Sequence, residues 1–320
     1  MTRPLIAVRI ARKRREAQDI CSFELIDPDG RLLPPFSAGA HIDVHVRPGV
    51  IRQYSLCSGV DERQRYLIAV LRDPSSRGGS RAMHEELQPG DVVQISQPRN
   101  HFGLASAERS LLLAGGIGIT PILCMTEHLA RRGADFELHY CTRSPERTAF
   151  REHITNSSFA DRVHFHFDSG SAEQRLDIAV LLARPAAHTH IYVCGPTPFI
   201  DIARATATAS GWAPSNVHFE LFSAAPTVAG NNEAFEVQIA RTGEIYAIPP
   251  DRTVLDVLRE QGMSVPSSCE QGICGACLTG VLSGVPDHRD HFLTDAEHAQ
   301  NTHFTPCCSR ARSPRLVLDL

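Results

Sequence analysis

The sequence predicts a multidomain chain: an antiparallel β-barrel, then a parallel α/β sheet, then a small α+β unit. Three observations point there. Short alternating runs broken by Pro and Gly fill the first third, a glycine-rich loop follows the continuous apolar run Leu111–Ala114, and five of the ten cysteines crowd the C-terminal fifth. A length of 320 residues suits two or three domains, and 42% hydrophobic content excludes wholesale disorder. A formal charge of −4, from 32 basic against 36 acidic side chains, argues against a dedicated nucleic-acid binder. No apolar run reaches the roughly 18–20 residues of a membrane helix, and Met1–Ile20 lacks the apolar core of a secretory leader. Clustered thiols in such a chain suggest a metal site in a reducing compartment, and the cytoplasm is the expected address.

The elements follow in order. Up to Gly103, His41–Val46 alternates and turns at Arg47-Pro48-Gly49, Tyr66–Leu71 is apolar, and Pro89-Gly90-Asp91 precedes Val92–Ile95. Strands at this spacing without a long helix indicate the barrel. From Leu104, Leu111–Ala114 reads as a strand buried on both faces. Thr120 and Pro121 should cap and open a helix through Ile122, Met125 and Leu129, which Gly133 stops. Phe136–Cys141 and His190–Val193 are further strands, and Thr197-Pro198 opens another helix. The segment 223–232 is small and polar, as an interdomain linker would be. Beyond it lie two strands, Phe235–Ile239 and Ile245–Ile248, and a helix capped by Thr253 with Asp256 three residues on. The expected domains are 1–103, 104–224 and 234–320, with a linker at 225–233.

Lys13 is the only lysine, so arginine supplies the other positive charges; base-composition bias accounts for this more simply than a functional need. The basic run Arg12–Arg15 reads as a solvated face, with partner docking as the lesser alternative. The sixteen histidines show no paired hydrolase motif, and His164, His166, His288 and His291 read as surface or structural residues.

Cys269, Cys274 and Cys277 form C-x4-C-x2-C, with Cys307 thirty positions later, which is the plant-type [2Fe–2S] ligand spacing. Gly272, Gly275 and Ala276 would let the loop backbone close around the sulfurs. Structural zinc also takes four cysteines, but usually from two short pairs, and here one ligand stands alone. Spacing alone leaves Cys307 and its neighbour Cys308 both eligible as the fourth ligand.

Two further motifs precede this one. Arg52-Gln53-Tyr54-Ser55-Leu56 has the form R-x-Y-S-L, and Gly115-Gly116-Ile117-Gly118-Ile119-Thr120-Pro121 has the form G-G-x-G-x-T-P. With the cysteine spacing, they make the chain resemble, over essentially its whole length, the family of phthalate dioxygenase reductase and the vanillate demethylase reductases. These are reductase components of Rieske oxygenase systems. The resemblance implies an FMN-binding barrel, an NAD-binding α/β domain and a β-grasp ferredoxin domain, with NADH, FMN and a [2Fe–2S] cluster as cofactors. It implies Arg52 on the flavin phosphate, Tyr54 on the isoalloxazine, Ser55 near its N5, and Gln53 within the same motif. Arg77, Gly78, Gly79 and Ser80 resemble the family's phosphate loop, and Ala69, Val70 and Leu71 would follow the flavin by main-chain contact. Gly115, Gly116, Gly118, Thr120 and Pro121 would receive the pyrophosphate. Cys194-Gly195-Pro196 resembles the second nicotinamide signature, although Cys194 reads equally well as a buried structural residue. Glu220 and Phe222 resemble the segment that returns to the flavin, with Phe222 covering the ring. The family's Ser-Arg following the last ligand fits Ser309-Arg310 and selects Cys307. FMN over FAD also comes from the family. Arg143-Ser144 offers no acid where NAD sites often carry one, so NADH over NADPH rests on the same likeness.

The expected function is an NADH-dependent reductase passing electrons through FMN and [2Fe–2S] to a Rieske-type oxygenase. The encounter would be transient and the reductase a monomer. The alternatives are a reductase for a diiron or P450 oxygenase, and a redox sensor that holds flavin and cluster without turnover.

Overall fold

The computed structural model describes residues 4–74, 78–222 and 232–320. They fall in two compact units, Met1–Phe222 and Ser223–Leu320. The first opens with β1 (Ile6–Ala17), β2 (Ile20–Ile26), β3 (His41–Arg47), β4 (Val50–Ser55) and β5 (Tyr66–Leu71), then helix α1 (Gly79–Glu85) and β6 (Val92–Ile95). The strands pair antiparallel in the order β4-β3-β6-β1-β2-β5, and a bridge from Leu56 to Ile68 ties the two ends into a barrel. Register shifts in β1 after Ile10 and Arg15 bend it around the closing sheet. Val8, Ile10, Phe23, Leu25, Ile42, Val44, Ile68 and Ile95 fill the interior.

The basic run lies on β1, and one of its members is not solvated. Lys13 Nζ donates to the carbonyls of His84 (2.6 Å) and Leu87 (2.9 Å), at and just past the end of α1. A cation there satisfies carbonyls the helix cannot and complements its negative end. Arg12, Arg14 and Arg15 are exposed as expected.

The parallel sheet has β7 (Arg109–Gly115), β8 (Asp135–Thr142), β9 (Val163–Phe167), β10 (Thr189–Gly195) and β11 (Val217–Leu221), with helices α2 (Ile119–Arg131), α3 (Arg151–Thr155), α4 (Ile178–Leu181) and α5 (Thr197–Ala209). Its order is β11-β10-β7-β8-β9 with every pair parallel. The order reverses between β7 and β10, so the crevice at their carboxyl ends is the topological switch point. Ile119, Ile122 and Met125 of α2 bury one face against Leu112, Leu138 and Tyr140; Ile200, Ala203 and Ala207 of α5 bury the other against Leu111, Leu113 and Val193. The first of these clusters also contains Ala17, Ile20, Cys57, Ala69 and Phe102, so the barrel and the parallel sheet share a core. Helix α2 begins at Ile119, one residue before the expected cap. Thr120 lies inside it and donates to the Ile117 carbonyl (3.1 Å), because a 3-10 turn at Gly116–Gly118 has already started the winding.

The second unit contains β12 (Phe235–Ile239), β13 (Ile245–Ile248), α6 (Val254–Glu260), β14 (Thr279–Ser283), β15 (Pro286–Asp287), α7 (Asp295–Gln300), β16 (His303–Phe304), β17 (Arg310–Ala311) and β18 (Arg315–Leu318). Its main sheet runs β13-β12-β18-β14-β16, with only β12 and β18 parallel, while β15 and β17 form a separate pair. Val254, Val257 and Leu258 of α6 pack on Phe235, Val237, Leu316 and Leu318, giving a β-grasp unit. Thr253 Oγ1 accepts from the Asp256 amide (3.1 Å) and donates to its carboxylate (2.7 Å). Most of the linker expected at 225–233 lies outside the described residues.

Candidate active site and metal centre

Strands β4 and β5 are the two ends of the barrel order, and beyond the Leu56–Ile68 bridge their facing edges separate. Because they run antiparallel, the register continued from that bridge sets Arg52–Ser55 opposite Ala69–Leu71, so the two segments expected to hold the flavin stand across one gap, or groove, in the sheet. Strand edges offer backbone donors and acceptors to a planar heterocycle. Val70 gives its carbonyl to His84 Nε2 (2.8 Å). At the far end of the groove Arg52 passes over Gly79, where a Cβ would stand 2.5 Å from Arg52 Cγ. Gly78 has φ +92°, and a Cβ there would stand 3.0 Å from Arg47 Nη2. Two guanidinium groups therefore flank a Gly-Gly backbone, a donor set that fits a phosphate dianion. Arg47 was not read from the sequence; it is also paired with Glu86 (2.8 Å), and nothing in its local pattern marks it. Ser80 Oγ accepts from the Asp73 amide (3.2 Å). Arg77 lies outside the described residues. The Tyr54 hydroxyl is buried without a hydrogen-bond partner among the described residues, and burial pushes its pKa up. Gln53 Nε2 lies 3.4 Å from His41 Nε2.

Ser55 connects this groove to the parallel sheet. Its hydroxyl donates to Glu220 Oε2 at 3.2 Å, and Glu220 pairs in register with Cys194 across β11 and β10. Burial raises the Glu220 carboxyl to about 8, so it carries its proton at neutral pH. Cys194 is fully buried, and desolvation, with Glu220 adding to it, holds its thiol well above the ordinary range. Ser55, Cys194 and Glu220 thus meet at the carboxyl end of β10. Phe222, just past β11, is 38% exposed.

The two glycine signatures interlock at the switch point. A Cβ on Gly118 would lie 2.2 Å from the Cys194 carbonyl oxygen, and Gly115 and Gly195 approach so closely that a Cβ on either meets the other's Cα at about 3 Å. Gly116 has φ +54°. Pro121 and Thr120 are buried in the first turn of α2, and Pro196 precedes α5. Bare backbone amides at the start of α2 suit a pyrophosphate.

In the second unit the thiols neighbour one another. Cys269 interacts with Cys274, and that interaction, with backbone donors, lowers the pKa of the Cys269 thiol. Cys277 and Cys308 both act on the Cys307 thiol, whose pKa is raised, and Cys277 and Cys307 are buried. The amides of Gln271 and Ala276 donate to Cys269 Sγ and Cys274 Sγ, each at 3.4 Å. Neighbouring thiols, two of them receiving backbone amides, fit a dinuclear cluster, which takes two thiolates for each iron. Gly272 (φ +73°) and Gly275 (φ +65°) allow this loop to close: a Cβ on Gly275 would lie 2.2 Å from the Phe292 ring. Cys308 lies 3.2 Å from Thr305 Oγ1 and against Cys307, and its Sγ also faces the loop, where a Cβ on Gly272 would stand 2.4 Å from it.

Comparison with known proteins agrees with this arrangement. Residues 237–312 match the 2Fe-2S iron-sulfur cluster binding domain, and residues 112–205 match the oxidoreductase NAD-binding domain. A vanillate O-demethylase oxidoreductase of Pseudomonas sp. (strain HR199 / DSM 7063) is 56% identical over 99% of this chain and 100% of its own. The solved phthalate dioxygenase reductase, described as a modular structure for electron transfer from pyridine nucleotides to [2Fe-2S], is 44% identical, with a TM-score of 0.79 over 99% of this chain and 98% of that one. An intact type IV self-sufficient cytochrome P450 monooxygenase matches 99% of this chain with 41% of its own, at 38% identity and a TM-score of 0.84. At 56% and 44% identity over 99% of its length, the chain belongs to the family of vanillate O-demethylase oxidoreductases and phthalate dioxygenase reductases.

Proposed function

We propose that this chain is the NADH-dependent reductase component of a Rieske-type aromatic oxygenase or demethylase, acting as a monomer in the cytoplasm and meeting its partner transiently. When bound, NADH supplies two electrons together, FMN accepts them and releases them singly, and the [2Fe–2S] cluster carries one at a time to the oxygenase. The chain's own residues hold and screen these groups. Arg52, beside the Gly78-Gly79 backbone, takes the flavin phosphate, and Tyr54 and the edge of Ala69–Leu71 take the ring. Gly115, Gly116, Gly118, Thr120, Pro121, Gly195 and Pro196 form the bed for the dinucleotide. Cys269, Cys274, Cys277 and Cys307 ligate iron.

The observation that carries this reading is the Ser55–Glu220 hydrogen bond (3.2 Å). It joins the flavin groove to the carboxyl end of the nicotinamide sheet, so both ligands would share one chamber. Within it the protonated Glu220 keeps a neutral hydrogen-bonding partner for Ser55, and the apolar enclosure of Cys194 excludes water. Phe222, exposed just past β11, would cover the ring. The domain limits that go with this function are 1–103, 104–224 and 234–320.

The test is NADH-driven reduction of an artificial one-electron acceptor by the purified holoprotein. Rapid turnover is expected; binding of flavin and iron without turnover would make the chain a sensor. Supply of a P450 is the second reading, favoured by the match to the self-sufficient monooxygenase.

A further inference from the structure

The C-terminal unit holds a group of metal-ligating side chains that the cysteine centre does not use. Among the described residues, only His288, Asp290 and His298 bring three such donor atoms within 4.8 Å of one another. The first two follow β15 and the third lies on α7. Asp290 is held firmly: its Oδ2 accepts from the amides of Phe292 (3.2 Å) and Leu293 (2.8 Å). Its Oδ1 accepts from Ser309 Oγ (3.4 Å) and stands 3.3 Å from His298 Nε2 and 3.7 Å from His288 Nδ1.

His288 supplies the independent observation. Its side chain is 9% exposed, and Nδ1 is buried without a hydrogen-bond partner among the described residues. Its other nitrogen, Nε2, lies 3.3 Å from Asn301 Oδ1. When Nε2 carries the proton and donates it to Asn301, Nδ1 is left with a lone pair aimed at the Asp290 carboxylate. That is the outer-sphere arrangement by which a metal-bound imidazole is normally oriented. Leaving such a nitrogen unpaired is costly, and a cation beside it removes the cost.

We infer that His288 Nδ1, Asp290 Oδ1 and His298 Nε2 form a binding site for one divalent transition-metal ion of the zinc class. Two imidazoles and one carboxylate suit zinc, and the absence of thiolate separates this site from the cysteine centre. Ligand bonds of about 2.0–2.2 Å in a tetrahedron place donor atoms roughly 3.3–3.6 Å apart; the separation of Asp290 from His298 (3.3 Å) falls in that range and the one from His288 (3.7 Å) just above it. The His288 and His298 rings stack at 4.3 Å. His298 must tilt out of that stack to aim Nε2 at the ion, and at 23% exposure it has room to do so and gives the ion its way in. Water completes the coordination.

The experiment is equilibrium dialysis of untagged, full-length holoprotein against micromolar zinc, followed by zinc, iron and sulfide analysis. One zinc per chain is expected with iron and sulfide unchanged. His298→Ala, on the more exposed side of the site, should hold no zinc under the same conditions while its visible cluster spectrum stays normal. His288→Ala should behave likewise. Wild-type protein that retains no zinc overturns the site, as does zinc retained by His298→Ala. Zinc gained with an equal loss of iron would place it at the cysteines and also overturn it.

Discussion

Cys307 and Cys308 sit side by side: Cys307 interacts with Cys277, Cys308 lies against Cys307 and beside Gly272 of the cysteine loop, and the choice of Cys307 as ligand rests on the Ser309-Arg310 that follows. Replacing each by Ser should therefore abolish or alter the iron–sulfur visible spectrum only at Cys307; a normal spectrum in Cys307→Ser would reject it as a ligand. Spacing could not decide between neighbours, because both thiols stand within reach of the cysteine loop. The motif singled out Arg52, which lies against Gly79, but not Arg47, since it reaches Gly78 only through folding. Arg52→Ala should weaken FMN affinity by about 1.5–3 kcal/mol, the range for a charge-assisted contact, with the cluster spectrum intact. Unchanged flavin affinity would give Arg52 another role. Glu220 makes a pH prediction. Its carboxyl is raised from 4.5 to about 8, so between those values the folded chain keeps a proton that the unfolded chain has released. Stability falls as pH rises through that window, and the full cost stands above about 8. Glu220→Gln should thus gain in urea midpoint over wild type at pH 9 relative to pH 5. A difference that does not change with pH would place the carboxyl in water.

At the scale of elements, what could be read was what repeats locally. Alternation and turn residues marked the barrel strands, and the apolar run before a glycine loop marked β7. Helix α1 left no such trace: it has seven residues, and it is fixed by Lys13 reaching across from β1. The start of α2 was misplaced because a 3-10 turn precedes it, and the capping box of Thr294 and Glu297 on α7 went unread. The mutual packing of the two glycine loops was also invisible, since each glycine is explained by a partner about eighty residues away. It has a measurable consequence. A Cβ on Gly118 would meet the Cys194 carbonyl oxygen at 2.2 Å, and that backbone cannot swing aside as a long side chain can. Gly118→Ala should lower stability by about 1–3 kcal/mol, the usual cost of overpacking. It should also weaken NADH binding more than flavin binding. Wild-type NADH affinity in a normally stable variant would show that the loops do not set the dinucleotide bed.

For the whole molecule, the order of parts and the overall chemistry were legible because each part carries its own motif. The shared core of barrel and parallel sheet was not, because Ala17, Cys57 and Phe102 join it without any periodicity between them. The proposed Rieske partner is a matter of this scale. Plant-type clusters sit near about −400 mV and Rieske centres at about −150 mV or higher. A gap of roughly 250 mV, at ~59 mV per tenfold for one electron, favours forward transfer by about four powers of ten. The direction therefore survives moderate shifts in either potential, and affinity need not drive it; a small, short-lived contact is enough for one reductase to serve successive oxygenases. The cluster loop is the proposed docking surface. There Glu270 is already paired with Arg259 (2.8 Å), which makes Gln271 and the exposed Leu278 the better residues to alter. Reconstitution with NADH and a Rieske oxygenase should give substrate oxidation. A Gln271→Glu, Leu278→Asp variant should lose that oxidation while reducing an artificial small-molecule acceptor at the wild-type rate. Turnover with a P450 or diiron partner and none with any Rieske partner would assign the chain to the second reading.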